Sequence, residues 1–407
     1  MKMMILSQSF TIPNGVTVKN RLFKSAMSET LAGPDHQPDE RLFRLYRRWA
    51  RGGAGIVVTG NVMIDSRALG EPGNVVVEDE RHLAELIQWA EAGTEQQTHL
   101  WMQLNHPGRQ SPRSLSDTPV APSEVALKKQ YRPFFSTPRA LSIEEITAIT
   151  DKFGRAAEIA RKAGFTGVQI HAAHGYLISQ FLSPLTNRRQ DVYGGTLENR
   201  MRFLIDIYFR IREKVGPEFP VSVKLNISDF SEGGFSTDEA LKVIKTLDKN
   251  GIDLIELSGG NYENPRMFDP SEKDVFFIDD AKQIQEEINA VLVITGGFRS
   301  TESMEKALAC DHTKMVGLAR PMVLYPDLPK KLLNKEIKDI QIPRLTTGLP
   351  FLDRKIGGLM GISYYEQQIR RLADGQDPLY CENGWKPLWN NLKIHGRTAL
   401  SPRRFTS

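Results

Sequence analysis

Two histidines and a tyrosine fall within six residues of one another in the segment IHAAHGY, as His171, His174 and Tyr176. They follow GFTGVQI (164–170), which is short, β-branched and bounded by glycine, and so reads as a buried strand. Two neutral imidazoles at a strand end can each donate an N–H, and together they can polarise a carbonyl or nitro oxygen. A phenol two residues on can deliver a proton to a developing carbanion. Two further readings stay open on these residues alone. The histidines can be structural, satisfying backbone carbonyls, or they can ligate a metal with a third ligand from elsewhere in the chain.

A second candidate is the pair of glycine-bearing strand ends ITGGFRS (294–300) and VGLARPM (316–322). Backbone N–H groups exposed by Gly296 and Gly297, with the Arg320 guanidinium added, suit a phosphate. The plain alternative is a tight turn. Polar residues also stand at or near the ends of other apolar runs: Ser28, Gln103 and Lys224, with Gly60 beside them. An amide or ammonium inside such a run is costly without a partner, so Gln103 and Lys224 are expected to face a polar ligand. The block NRRQDVYGGTLENRMRF (187–203) reads as scaffold, with Arg188, Asp191, Glu198 and Arg200 forming an ion-pair lattice.

These groups need a framework that brings distant strand ends together. Apolar runs recur at 21–27, 55–60, 98–104, 167–172, 220–227, 253–259, 290–297 and 313–320, with helix-compatible segments between them. In 238–251 the apolar residues Ala240, Leu241, Val243, Ile244 and Leu247 recur at helical spacing, and in 142–164 Ser142 stands three before Glu145 as in a capping box. Strand-then-helix units over residues 1–330 predict an α/β fold, a (β/α)8 TIM barrel, whose strand ends carry the chemistry and whose seventh and eighth loops bind phosphate. An open doubly wound sheet would call for a G-x-G-x-x-G turn after the first strand, and the sequence has none there. Asn14-Gly15, between two alternating runs, predicts an N-terminal hairpin across the barrel floor. The Pro- and Ser-rich stretch 105–142 reads as a substrate lid. Residues 331–407 form an extension expected to pack on the barrel or on a neighbouring subunit, with a helix at 361–375 and a basic, loose tail at 395–407.

Composition narrows the function. The 53 Lys+Arg against 49 Asp+Glu give +4, too weak a balance to argue for nucleic acid. Two cysteines, Cys310 and Cys381, exclude a disulfide framework and a four-cysteine cluster built from this chain. The start MKMMILSQSFTIPNG lacks a long apolar core, and no run approaches the ~20 residues that span a bilayer. A cytoplasmic protein acting on a small molecule, with no nucleic-acid or membrane partner, is the expectation.

In this order, KNRLFKSAMSE (19–29), GAGIVVTG (53–60), QLNHPGRQ (103–110), HAAHGYLISQFLSPLTNRRQDVYGGTLENRMRF (171–203), VSVKLN (221–226), ITGGFR (294–299) and VGLARPMVLYPDL (316–328) resemble the old yellow enzyme family. The resemblance implies FMN as cofactor, NADH or NADPH as reductant, and hydride transfer from flavin N5 to the C=C bond of an α,β-unsaturated carbonyl or nitro compound. By position, Ser25, Ala26, Met27 and Ser28 would lie beside the N5/O4 edge of the flavin, and Gly60 and Gln103 would contact its pyrimidine side. Lys224 stands where the family usually has arginine, near N1/O2. It would keep the cation there without the planar fork. Gly296, Gly297, Ala319 and Arg320 would hold the phosphate; Ala319 replaces a frequent glycine. His171 and His174 would bind the substrate oxygen, Tyr176 would supply the proton, and Tyr262 would lie near the substrate. An NADH oxidase or an oxidative demethylase on the same barrel, and a metal-dependent barrel lyase or hydrolase using the two histidines, are the alternatives. A homo-oligomer, with the 361–375 helix and its Arg370–Arg371 pair docked on a neighbour, is a further expectation.

Overall fold

The computed structural model describes residues 4–264, 275 and 277–395. The basic end expected to be loose lies, from residue 396 on, outside the described residues. At the centre are eight parallel strands: β1 (Leu22–Lys24), β2 (Ile56–Met63), β3 (His99–Asn105), β4 (Gly167–Ala172), β5 (Val221–Asn226), β6 (Leu254–Ser258), β7 (Val291–Thr295) and β8 (Met315–Leu318). Each pairs with the next, and β8 returns to β1 through Val316–Leu22 and Gly317–Phe23. Every barrel strand therefore has two neighbours, which removes the open edges of a flat sheet. The fold is the (β/α)8 barrel read from the sequence.

Helices α1 (Glu40–Arg51), α2 (Leu83–Gly93), α3 (Ile143–Lys162), α4 (Leu197–Val215), α5 (Thr237–Lys249), α6 (Ile278–Gln285) and α7 (Thr301–Ala309) follow successive strands. Ser142 and Glu145 form the expected capping box at the start of α3, and Ser236 with Glu239 forms another on α5. After β8 a short turn of helix (Arg320–Leu324) leads on to α8 (Pro350–Ala373) and α9 (Trp385–His395). Helix α8 is longer than the 361–375 segment expected, and it packs on α1 and on the Arg320–Leu324 turn.

Side-chain alternation sorts the strands into two interiors. Outward residues such as Val57, Leu100, Ile170, Val223, Ile255 and Leu292 join the helices in one apolar layer. Inward residues near the strand starts, among them Phe23, Ile56, Trp101, Leu254, Val291 and Met315, fill the barrel's lower half. Ile12 and Val18, from the two-stranded hairpin Phe10–Thr11 and Thr17–Val18, pack into that same cluster, so the hairpin closes the floor. No described helix is long and apolar enough to cross a membrane.

Candidate active site

Above the apolar floor the inward side chains turn polar. Gln103 donates to Gln169 Oε1 at 2.7 Å, and Gln169 donates to Glu256 Oε2 at 3.0 Å. Glu256 Oε1 then accepts from Lys224 Nζ at 3.1 Å and from Thr295 Oγ1 at 2.8 Å, while Ser25 Oγ bonds Thr295 Oγ1 at 2.8 Å. The chain runs through β3, β4, β5, β6 and β7 to Ser25 just past β1, and Glu256 is wholly buried within it. These three donors satisfy the buried carboxylate, which in turn fixes Lys224 in place. Gln103 and Lys224, expected to face a polar ligand, lie in the barrel interior with protein partners. Their immediate partners, Gln169 and Glu256, were missed, although each is a polar residue inside an apolar strand and the same argument would have found them.

One layer higher, β4 delivers His171 and the turn after it delivers His174 and Tyr176. The His171 ring meets the His174 and Tyr176 rings edge to face at 5.0 and 4.9 Å between centroids. The Ala173 N–H donates to His171 Nδ1 at 3.3 Å, which fixes the ring's orientation. His174 has φ of 61°, in the left-handed region that a non-glycine residue rarely occupies. Its N–H donates to Asn226 Oδ1 at 3.1 Å, its carbonyl accepts from Gln110 Nε2 at 3.0 Å, and Nε2 shares a 2.7 Å hydrogen bond with Ser258 Oγ. That conformation turns the second imidazole back beside the first. Tyr176 caps the short helix Leu177–Leu182, and its hydroxyl bonds the Tyr262 hydroxyl at 3.0 Å, with Asn61 Nδ2 at 3.4 Å.

The 105–142 stretch lies over this cluster. Leu127, Tyr131 and Phe135 pack with Tyr176 and Tyr262, and Tyr176 is left 1% exposed. The stretch is pinned by Arg109, whose Nη2 pairs with Glu263 at 2.6 Å, and by the Lys128 N–H on the same carboxylate at 2.7 Å. His106, at its root, accepts the Gly108 N–H at 3.1 Å, and burial holds the imidazole down at about 4.

The remaining candidates divide between two edges. Ser25 joins the polar chain, Ala26 packs with the barrel-floor cluster, and Ser28 hydrogen-bonds Glu71. The Gly60 N–H is taken by Glu29 at 2.8 Å and by the Tyr46 hydroxyl at 3.1 Å, on the side facing α1, and a side chain at Gly60 would run into Glu29 and the Met27 carbonyl. Across the barrel mouth, Gly296 and Gly297 have φ of 103° and 83°, and Arg320 opens the turn after β8 next to Ala319. Arg299, missed in the sequence, follows the glycines, and its charge and that of Arg320 act on one another. The expected lattice in 187–203 is corrected: Arg189, not Arg188, pairs with Asp191 at 2.6 Å, and Arg200 pairs with Glu239 on α5 rather than with Glu198.

Residues 6–339 match the NADH:flavin oxidoreductase / NADH oxidase family. The chain belongs to it. It is a member of the old yellow enzyme family and an NAD(P)H-dependent flavin oxidoreductase that uses FMN. It is 39% identical over 384 residues to the NADH-dependent flavin oxidoreductase iliE of Hypocrea jecorina, covering 86% of this chain and 95% of that protein. It is 35% identical over 390 residues to an NADH oxidase of Thermoanaerobacter brockii, covering 94% of this chain and 58% of the other. Morphinone reductase shares the fold with a TM-score of 0.71 at 25% identity, over 84% of this chain and 92% of that one. An old yellow enzyme homologue from Zymomonas mobilis gives 0.70 at 26% identity, over 83% and 94%.

The residues of this old yellow enzyme relative suit FMN. Two glycines in the left-handed region and two arginines near each other at the ends of β7 and β8 are the chemistry of a phosphate site. Lys224 and the Gln103–Gln169 amides are donors of the kind the polar edge of a flavin ring would need. Among the described residues no group of three His, Cys, Asp or Glu could hold a metal, so His171 and His174 find no third ligand there.

Proposed function

We propose that the protein reduces the C=C bond of α,β-unsaturated carbonyl or nitro compounds. FMN, when bound, would supply the hydride-transfer chemistry that links NAD(P)H to the substrate's β-carbon. In this reading Ser25, Ala26, Met27, Ser28, Gly60, Gln103 and Lys224 would line the ring, and Gly296, Gly297, Ala319 and Arg320 would hold the phosphate. His171 and His174 bind the substrate oxygen. Charge builds on that oxygen in the transition state, so two oriented donors lower the barrier more than they favour the ground state. Tyr176 gives its hydroxyl proton to the α-carbon, and Tyr262, bonded to the same hydroxyl, aims it and relays its replacement.

The observation that supports this most is the packing of His171 against both His174 and Tyr176, with Tyr176 buried beneath the 105–142 stretch. Tyr176→Phe keeps the ring and removes the proton. It should slow oxidation of the reduced enzyme by an enone by about 10²-fold or more while leaving reduction by NAD(P)H nearly unchanged. Rapid-mixing absorbance measures the two half-reactions separately, and equal losses in both would remove Tyr176 from the proton-donor role. The name of the Thermoanaerobacter brockii relative favours a second reading, with dioxygen as acceptor. Turnover of NADH in air that an enone does not suppress would select it.

A further inference from the structure

Helix α8 carries two adjacent buried tyrosines with different fates. The Tyr364 hydroxyl donates to the Leu379 carbonyl at 2.9 Å, an ordinary structural bond. The Tyr365 hydroxyl is buried and has no hydrogen-bond partner, on a residue 7% exposed. A buried hydroxyl without a partner costs free energy, and such a group often awaits a ligand.

The surroundings of Tyr365 indicate which ligand. Helix α8 packs on the Arg320–Leu324 turn, which starts at the end of β8. Arg299 and Arg320 both lie near enough to act on the phenol, and no carboxylate among the described residues pairs with either guanidinium. Burial still keeps the phenol protonated, pushed up to about 12, so it is a donor at neutral pH. Two cations and one donor converge, with the left-handed Gly296–Gly297 turn after β7, on the corner where a barrel binds phosphate. An anion there answers all of them together.

We propose that Tyr365, a residue of the extension beyond the barrel, donates its hydroxyl proton to the FMN phosphate beside Arg299 and Arg320, so that the extension completes the cofactor site. This rests on the phosphate placement given under Proposed function. It gives the extension a role in cofactor retention, and Tyr365 becomes a binding residue supplied from outside the barrel strands.

The test is the ratio of FMN to riboflavin affinity, measured by quenching of flavin fluorescence on the flavin-stripped full chain. Riboflavin lacks the phosphate, so the ratio isolates contacts to it, and any general loss of fold lowers both affinities together. Tyr365→Phe should cut the preference for FMN about ten-fold, the effect of one hydrogen bond to a charged group, with riboflavin affinity unchanged. Tyr364→Phe should leave the ratio as in the wild type. A Tyr365→Phe chain with the wild-type ratio, or with both affinities reduced equally, would overturn the inference while leaving the phosphate site standing. A wild-type chain that binds FMN no better than riboflavin would overturn the phosphate placement and the inference together.

Discussion

Burial is the largest influence on the protonation of His106, ahead of the charges of Asp65, Lys152 and Arg67. The residue is 4% exposed, its Nδ1 accepts the Gly108 N–H, and its own carbonyl accepts the Leu177 N–H at 3.0 Å, tying the root of the 105–142 stretch to the helix that follows Tyr176. The folded imidazole titrates near 4 against an ordinary value of 6.5. Between those values the unfolded chain takes up a proton that the folded chain refuses. The contribution to stability is therefore complete above pH 6.5 and drains as the pH falls toward about 4, by up to about 3 kcal/mol. His106→Asn keeps an acceptor for Gly108 and has nothing to titrate. Urea midpoints at pH 7 and pH 5 should lie closer together in this variant than in the wild type. An unchanged gap would assign the acid sensitivity to other groups.

Elements were legible in the sequence where their signals are local. Ser142 and Glu145 announce α3 three residues apart, and both bonds of the box form, as they do for Ser236 and Glu239 on α5. What a linear reading missed is the second partner of each glutamate. Glu145 pairs with Arg139 near the surface, both side chains more than a third exposed. Glu239 pairs with Arg200 of α4, whose side chain is 6% exposed and otherwise bonds the carbonyls of Leu182 and Gly195. The 187–203 block looked self-contained because it holds both signs of charge, yet the pair that is buried reaches into the next β/α unit. Removing each glutamate therefore tests tertiary context at a constant cap. Glu145→Ala should cost about 1 kcal/mol, while Glu239→Ala should cost about 2–3 kcal/mol because it strands a buried guanidinium. Chemical denaturation of the two variants measures the difference. Equal costs would mean that the carbonyls suffice for Arg200.

At the scale of the whole molecule the barrel was readable because one unit repeats, and the site because its residues sit at strand ends. The polar chain from Gln103 to Ser25 was less so: it joins side chains on five strands, and Ser25 just past β1, that share nothing in sequence but their inward direction. Helix α8 was half seen for a related reason, since Gly357 and Gly358 interrupt the apolar spacing of its first half and packing on α1 holds it regardless. A ring also requires the two ends of the chain to meet, which no local pattern specifies. Glu305 on α7 makes one such contact. Its carboxylate accepts the Ile5 N–H at 3.0 Å and the Leu6 N–H at 2.8 Å, fastening the first turn beside the wholly buried Leu6. Contacts this distant in sequence are made late in folding and are held only by the finished ring. Glu305→Ala leaves two backbone donors without a charged acceptor and should lower stability by about 1–3 kcal/mol. If the chain ends are part of one cooperative barrel, the urea midpoint of the whole protein falls by that amount, read through the tryptophans of the barrel. If proteolysis nicks the first residues faster while the midpoint stays fixed, the N-terminal turn is instead a local clasp, and closure rests on the β8–β1 pairing.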